Sequence, residues 1–139
     1  MKYKIISILL ALLLVGCANS YQEPSKNEPH ATFNTNGKII PIEINGKSKS
    51  GMKLSNWSYR FHPGKISLFV YVPLTTLHAE GGIEFIAENQ QTYEPLIENK
   101  LETITLNIIN SVTNKIVASK ELRKGTTSTG AMIPIIIPM

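Results

Sequence analysis

The segment Ile66–Val72 constrains the fold of this chain more than any other stretch. Its even-numbered residues are all apolar and share one face of an extended strand, while Phe69 and Tyr71 lie on the other face. Because both faces are largely apolar, the pattern predicts a central strand of a sheet. Pro63-Gly64 just before it is typical of a type II turn, in which Pro presets φ and Gly tolerates a positive φ.

Seven or eight short β-prone segments follow one another at regular spacing, with turn residues between them. They predict an all-β fold, a single small antiparallel β-sandwich over residues 31–124. Asn36-Gly37 is typical of a hairpin turn between the first two segments, because both turn residues need positive φ. Pro41 and Pro95 cannot donate a ladder hydrogen bond and indicate sheet edges or bulges. The predicted strands cover residues 32–35, 38–44, 57–61, 66–72, 83–88, 92–97, 102–110 and 115–122.

The first 16 residues have the composition of a signal peptide. Lys2 and Lys4 precede an apolar run, residues 5–15, of 11 residues. A helix of that length covers roughly 16 Å, about half of a bilayer core. The run is therefore too short for a transmembrane helix and has the length of the apolar region of a signal peptide, here predicted to form an N-terminal helix.

The residues Leu14-Val15-Gly16-Cys17 end this run and resemble the lipobox of bacterial lipoproteins. The resemblance implies that Cys17 receives a diacylglycerol thioether, that the chain is cut between Gly16 and Cys17, and that the new amine is acylated. Two or more acyl chains give stable anchoring. In enteric-type bacteria, an Asp after the lipidated cysteine favours retention at the inner membrane. Ala18 stands at this position, so an outer-membrane location facing the periplasm is expected. The inner membrane and the cell surface are the alternatives. The alternative is a secreted protein with a free thiol.

Three further segments lie outside the predicted strands given above. Residues 17–30, the lipidated cysteine and a polar stretch, are too poor in apolar residues to fold and predict a flexible tether of roughly 20 Å. Residues 73–82 are expected to be a long connection. Residues 125–139 comprise a Gly/Thr/Ser linker and an apolar tail that contains Ile133, Ile135 and Ile137. The tail is interpreted either as an edge strand of the domain or as a segment that docks on a partner's sheet or on the membrane surface.

A second resemblance concerns the domain itself. Residues 42–46 form a strand ending in Asn-Gly, and residues 59–70 contain the Pro-Gly turn and the alternating strand. In this order they resemble PEGA-type surface and lipoprotein modules, and residues 83–93 resemble the part that follows in many small bacterial lipoproteins. The family's usual Thr-Pro before the second strand is missing. The resemblance implies a small β-sandwich and assigns no functional residue.

Composition excludes several classes of function. The chain has no Asp, which removes aspartic dyads, the commonest Ser-His-Asp triads and Asp-rich calcium loops. Its single cysteine is assigned to the lipid, which removes disulfides and thiolate sites. Cleavage of the signal peptide lowers the formal net charge from +4 to +2, so nucleic-acid binding is not expected. No cofactor or metal is expected.

The remaining candidate sites each have a structural alternative. His30, His62 and His78 match no local zinc spacing, so either the fold assembles them into a composite site or His62 and His78 simply lie in surface turns. Trp57, Tyr59 and Phe61 beside Arg60 fit a sugar-stacking surface, but their alternation favours the core. Glu84 with Glu88, and Glu94 with Glu98, are paired carboxylates of the kind that glycosidases use, or simply solvated strand faces.

Charge divides along the chain. Six of the ten acids lie between residues 80 and 102, and six bases lie between residues 38 and 65. This split either forms a polarised surface that orients the protein on a partner or reflects ordinary solvated strand faces.

The lipobox, the polar tether, the β pattern and the missing catalytic residues together predict a non-enzymatic, lipid-anchored envelope protein with a binding, assembly or structural role. The membrane and another envelope protein are its expected partners. A small glycan hydrolase and an inhibitor or pilot protein for a secretion or surface assembly are the alternatives. The oligomeric state is left open.

Overall fold

The computed structural model describes residues 20–48 and 57–126, and these form an all-β domain of nine strands. The predicted fold class is confirmed. The strands are β1 (Ala31–Asn34), β2 (Ile40–Ile44), β3 (Lys47–Ser48), β4 (Ser58–Phe61), β5 (Gly64–Pro73), β6 (Leu77–Ala87), β7 (Thr92–Asn99), β8 (Thr103–Asn110) and β9 (Lys115–Thr126). Their order across the sheet is β3-β2-β5-β6-β9-β8-β7-β1-β4.

The sheet curls into two layers because β9 belongs to both of them. Its first part pairs with β8 up to Arg123, and its last three residues, Lys124–Thr126, pair with β6. One layer therefore contains β3, β2, β5 and β6, and the other contains β8, β7, β1 and β4. All pairs are antiparallel except β1 with β7, which is parallel and makes the sheet mixed.

The core lies between the layers and is rich in aromatic rings. Phe85 of β6 meets Phe33 of β1 and Phe61 of β4, each with 6.3 Å between ring centroids, and Tyr93 of β7 at 5.1 Å. Such contacts add about 0.5–1.5 kcal/mol per pair to the burial of the rings. The predicted central strand is confirmed, because β5 lies between β2 and β6 and its four inward residues, Ile66, Leu68, Val70 and Val72, are fully buried.

The predicted hairpin at Asn36-Gly37 is wrong. Both residues have positive φ, 51° and 69°, and Lys38 N donates to Thr35 O at 2.9 Å, so the turn itself is present. However, β1 pairs with β4 and β7, while β2 pairs with β3 and β5. The turn carries the chain from one layer to the other instead of joining neighbours. The bulge expected at Pro41 is found, between Pro41 and Glu43.

The long connection expected over residues 73–82 is also wrong. Strand β6 begins at Leu77 and passes through Gly81 and Gly82, which pair with Val70 and Phe69 of β5. Glycines usually weaken strands, which is why their pair indicated a loop. Strand β9 likewise extends through Gly125, which pairs with His78, into the predicted linker.

Residues 20–24, which we call the N-terminal strap, bridge the two outermost strands of the curled sheet. Ser20 forms a parallel bridge with Ser48 of β3, and Tyr21 N donates to Ser48 O at 3.1 Å. On the other side, Arg60 of β4 donates from Nε to Pro24 O at 2.8 Å. The strap therefore covers the gap between β3 and β4, a usual way of protecting sheet edges.

Tyr21 fixes the strap to the core. Its ring is 9% exposed and meets Phe61 edge-on with 6.1 Å between centroids, and its hydroxyl donates to Arg60 O at 3.4 Å. Glu23 lies 3.8 Å from the guanidinium of Arg60. Residues 20–24 of the predicted tether are thus packed on the domain, because one buried aromatic ring and the Arg60 contacts hold them despite their polar composition.

The ionisation of Tyr21 should report attachment of the strap. Burial raises the pKa of Tyr21 above the usual value near 10. A hydrogen bond with the His62 backbone lowers this pKa in part, and the negative charge of Glu23 raises it slightly further. The pKa of Tyr59 is also raised, first by burial and then by Glu23. A raised pKa means that the folded chain retains a proton that the unfolded chain has lost. The unfolding free energy should therefore be level below about pH 9 and fall above about pH 10.

Urea unfolding of wild type and Tyr21→Phe between about pH 8 and 11 measures this effect. The variant should lose less stability across the alkaline range, and changes from lysine titration cancel in the comparison. Identical slopes would show that the phenol of Tyr21 is solvated in the folded chain.

Candidate functional site: a cleft between β6 and β9

Strands β6 and β9 pair over only three residues and then diverge. The ladder joins Leu77–Ala79 to Lys124–Thr126. Outside this ladder, residues 80–87 of β6 pair only with β5 within the described part of the chain, and residues 115–123 of β9 pair only with β8. Each strand therefore turns one edge towards the cleft, and unpaired backbone N–H and C=O groups at such edges can bind an added strand.

Gly81 lies where the two strands begin to separate. A Cβ atom on Gly81 would lie 2.3 Å from Cδ2 of Leu122, so a larger residue at this position would force the Leu122 side chain to shift. On β9, the register shifts so that Ile108 faces Ala118 while Ile109 faces Ile116, which leaves Val117 as a bulge. Bulges increase local twist and bend the strand that carries them, which fits the divergence.

Lys120 occupies an inward position on β9 but remains exposed. It alternates with buried Leu122 and half-buried Ala118, and it pairs with fully buried Leu106. It is exposed because β6 no longer covers β9 at this level. An inward-pointing lysine beside an open edge also discourages indiscriminate edge-to-edge pairing.

The cleft has a volume of about 520 Å³ and a mainly polar lining. Glu84 of β6 lies at one wall of the cleft and forms an ion pair with Lys65 at 3.2 Å. Lys120, the other charged residue of the lining, has no opposite charge within 4 Å among the described residues. The cleft can therefore hold an extended backbone and attract a carboxylate. Its lining residues are Ser67, Gly82, Ile83, Glu84, Val117, Ala118, Ser119 and Lys120.

The paired carboxylates do not form a two-acid centre. Glu84 lines the cleft, whereas Glu88 lies beyond the end of β6 and outside that lining. Glu94 accepts a hydrogen bond from Asn36 Nδ2 at 3.0 Å, and Glu98 is exposed at the far end of β7. Two carboxyl groups facing one bond are what a glycosidase needs, and the cleft lining contains one.

The three histidines are separated in the fold. Nδ1 of His30 lies 2.8 Å from Glu28 O, and His62 is exposed in the turn before β5. His78 stacks on Tyr71 with 5.1 Å between centroids, and its Nε2 lies 3.6 Å from Glu80. Within residues 20–48 and 57–126, no three metal-binding side chains come together. The sequence did not indicate the Tyr71–His78–Glu80 cluster, because the cluster depends on the pairing of β5 with β6. Residues 73–82 were expected to be a connection, so no such pairing was predicted for them.

The aromatic residues before the Pro63-Gly64 turn belong to the core, as their alternation indicated. Phe61 is fully buried, Tyr59 is 3% exposed, and Trp57 packs against the core. Arg60 points the other way and holds the strap. These side chains therefore do not offer a stacking platform.

Several predicted sites lie outside the described residues: the cleavage position Gly16, the lipidation site Cys17, and Ile133, Ile135 and Ile137 of the tail. Their roles stay predictions. Within the described part of the chain, no helix has the length and apolar character needed to cross a bilayer. No protein-family model, curated protein or solved structure matches the chain.

Proposed function

We propose that this chain is a lipid-anchored bacterial envelope protein, held through Cys17 at the periplasmic face of the outer membrane, with a non-enzymatic role in binding or assembly. The observation that carries the proposal is the order of Lys2 and Lys4, the 11-residue apolar run and Leu14-Val15-Gly16-Cys17. An apolar run of this length directs export. The lipobox resemblance implies lipid attachment at Cys17, which follows the run after one small residue, Gly16. Two or more acyl chains then supply stable anchoring.

Cys17→Ser tests the anchor. The wild-type protein should sediment with membranes and incorporate labelled fatty acid, whereas the variant should do neither, because serine offers no thiol for the diacylglyceryl group. Ser20→Cys in the Cys17→Ser background is the matched control, since it restores a thiol outside the lipobox. A Cys17→Ser protein that still fractionates with membranes would remove the basis of the proposal.

The binding role is assigned to the β6–β9 cleft, with an extended, acidic segment of another envelope protein as its occupant. Two strand edges supply backbone hydrogen bonds, and Lys120 supplies the charge that such a segment complements. The chain's own tail is a poorer fit. It contains no charged residue between 131 and 139 that could complement Lys120.

Photo-crosslinking in intact envelopes tests the occupant. A benzoylphenylalanine at Ser119 should give an adduct with a second protein, and Lys120→Glu should reduce its yield several-fold. The same probe at Thr113, in the turn between β8 and β9, is the control and should give none. Mass spectrometry of the crosslinked peptide decides the outcome: an acidic extended segment supports the proposal, and an adduct with residues 131–139 of this chain overturns it.

A further inference from the structure

The β6–β9 cleft is closed at one end. The side chain of Leu122 lies so close over Gly81 that a Cβ on Gly81 would come within 2.3 Å of Leu122 Cδ2. Neither residue belongs to the lining of the cleft, and the ladder that begins with Ala79 and Lys124 lies beyond them. An extended chain that enters between the two strands therefore cannot continue past this contact in the plane of the sheet.

The charge at the closed end is positive. Lys120 is exposed and is the last lining residue of β9 before Leu122. Among the described residues no acid lies within 4 Å of Lys120, whereas Glu84 on the other wall is paired with Lys65 at 3.2 Å. A cation at a closed end favours a group that is negative and that ends a chain. An α-carboxylate meets both conditions, while an acidic side chain within a segment requires the backbone to continue.

The open end of the cleft is apolar. Seven residues beyond the pair Ala79 and Lys124 on each strand (79 to 86 and 124 to 117), Ile86 is level with Val117. These two side chains are 59% and 40% exposed. From Val117 to Lys120 there are three residue steps, which cover about 10 Å of an extended strand. A segment with its carboxylate at Lys120 thus brings the residue three positions before its last one to these aliphatic side chains.

We propose that the cleft binds the carboxyl terminus of another envelope protein, with the terminal carboxylate at Lys120 and an aliphatic residue three positions earlier beside Ile86 and Val117. This rests on the proposed binding role and specifies which acidic group the occupant presents. The two strand edges supply backbone hydrogen bonds, and Lys120 supplies a charged contact to the end of the segment. The chain's own apolar tail fits less well, because its two prolines cannot donate to a strand edge.

Trypsin digestion of the Ser119 photo-adduct in water enriched in heavy oxygen identifies a chain end. Trypsin incorporates the heavy isotope into each carboxyl group that it creates, so a peptide from the partner's own carboxyl terminus stays unlabelled. We expect the crosslinked partner peptide to be unlabelled. A labelled, internal acidic peptide would overturn this inference and leave the proposed binding role intact. The absence of any adduct, or an adduct with residues 131–139, would overturn the binding role itself.

Peptide pools test the carboxylate on the detergent-purified protein. N-acetylated pentapeptides of random sequence are made as free acids, as terminal amides, and as amides that end in Glu. The protein should retain the free acids at least about tenfold better than either amide pool, because the amides lack the charged group that Lys120 contacts. Lys120→Met should abolish this difference, whereas Lys115→Met, at the exposed start of β9, should preserve it. Equal retention of the acids and either amide pool, or retention of no pool, would overturn the proposal.

The retained free acids also test the apolar end of the cleft. Ile, Val and Leu should be enriched at the second residue of these pentapeptides, three positions before the last. The double change Ile86→Ser with Val117→Ser should remove the enrichment. Val112→Ser is the control, since Val112 is 62% exposed in the turn between β8 and β9 and should leave the enrichment unchanged. A wild-type protein that shows no preference at this position would overturn the assignment of Ile86 and Val117.

Discussion

Replacing Phe61 with Ala is expected to lower the free energy of unfolding by about 3–5 kcal/mol. Phe61 is fully buried and stacks on Phe33 with 5.5 Å between ring centroids. It also contacts Tyr21 of the strap and Phe85 of the opposite layer. Its removal leaves a cavity where both layers and the strap meet. Urea unfolding of the detergent-purified protein, followed by the fluorescence of the single tryptophan, measures the loss.

Leu101→Ala is the matched control for this prediction. Leu101 is 92% exposed in the turn between β7 and β8, so its truncation should change stability by no more than about 0.5 kcal/mol. If Phe61→Ala cost less than about 1 kcal/mol, the two layers could not pack around this ring as described.

Replacing Gly81 with Ala should cost about 1–3 kcal/mol, because the added methyl group enters the space of Leu122. Leu122 is 5% exposed, so its side chain has little room to move away. The change should also weaken the β6–β9 ladder, which ends two residues before Gly81, at Ala79. Hydrogen exchange at residues 77–79 and 124–126, together with urea unfolding, provides the readout.

The neighbouring glycine is a control of the same chemistry. A Cβ on Gly82 would lie 3.7 Å from Leu68 O, an ordinary contact, so Gly82→Ala should be much milder. Combining Gly81→Ala with Leu122→Ala should cost less than the sum of the single changes, because the methyl group then occupies vacated space. Additive single and double variants would contradict close contact at this junction.

Strand content was predictable from the sequence where one face is buried. The alternation of β5 specified its inward residues because the fold covers that face completely. The alternation of β8 was equally clear, with Ile104, Leu106 and Ile108 fully buried. In such strands a register shift by one residue would expose all the apolar side chains, so the pattern determines which face of the strand points to the core.

The sequence did not predict which strands pair with each other or where the chain crosses from one layer to the other. Asn36-Gly37 has the backbone of a tight turn, but the local sequence does not specify which strand the chain meets afterwards. Gly81-Gly82 indicated a loop because glycine is unfavourable in strands. In the fold, Gly81 leaves room for the side chain of Leu122, which lies 41 residues later in the chain. Both cases depend on contacts between distant segments, which propensity does not encode.

The strap and the cleft were missed for related reasons. One buried aromatic, Tyr21, is a weak signal among polar residues, and its partners Ser48 and Arg60 are distant in the sequence. The cleft arises from the divergence of β6 and β9, which no single segment reveals. The one sign of the cleft in the sequence is Lys120, a charged residue at an inward position in the alternation of β9.

The central claim, that this domain is held at a membrane by lipid on Cys17, is tested most directly by intact mass spectrometry of the protein extracted from its native membrane. The account predicts a chain that begins at Cys17 and carries the added mass of a diacylglyceryl group and an amide-linked acyl chain. Peptide mapping should place both on Cys17. A mature chain with an unmodified Cys17 thiol, or one that retains Gly16, would contradict it.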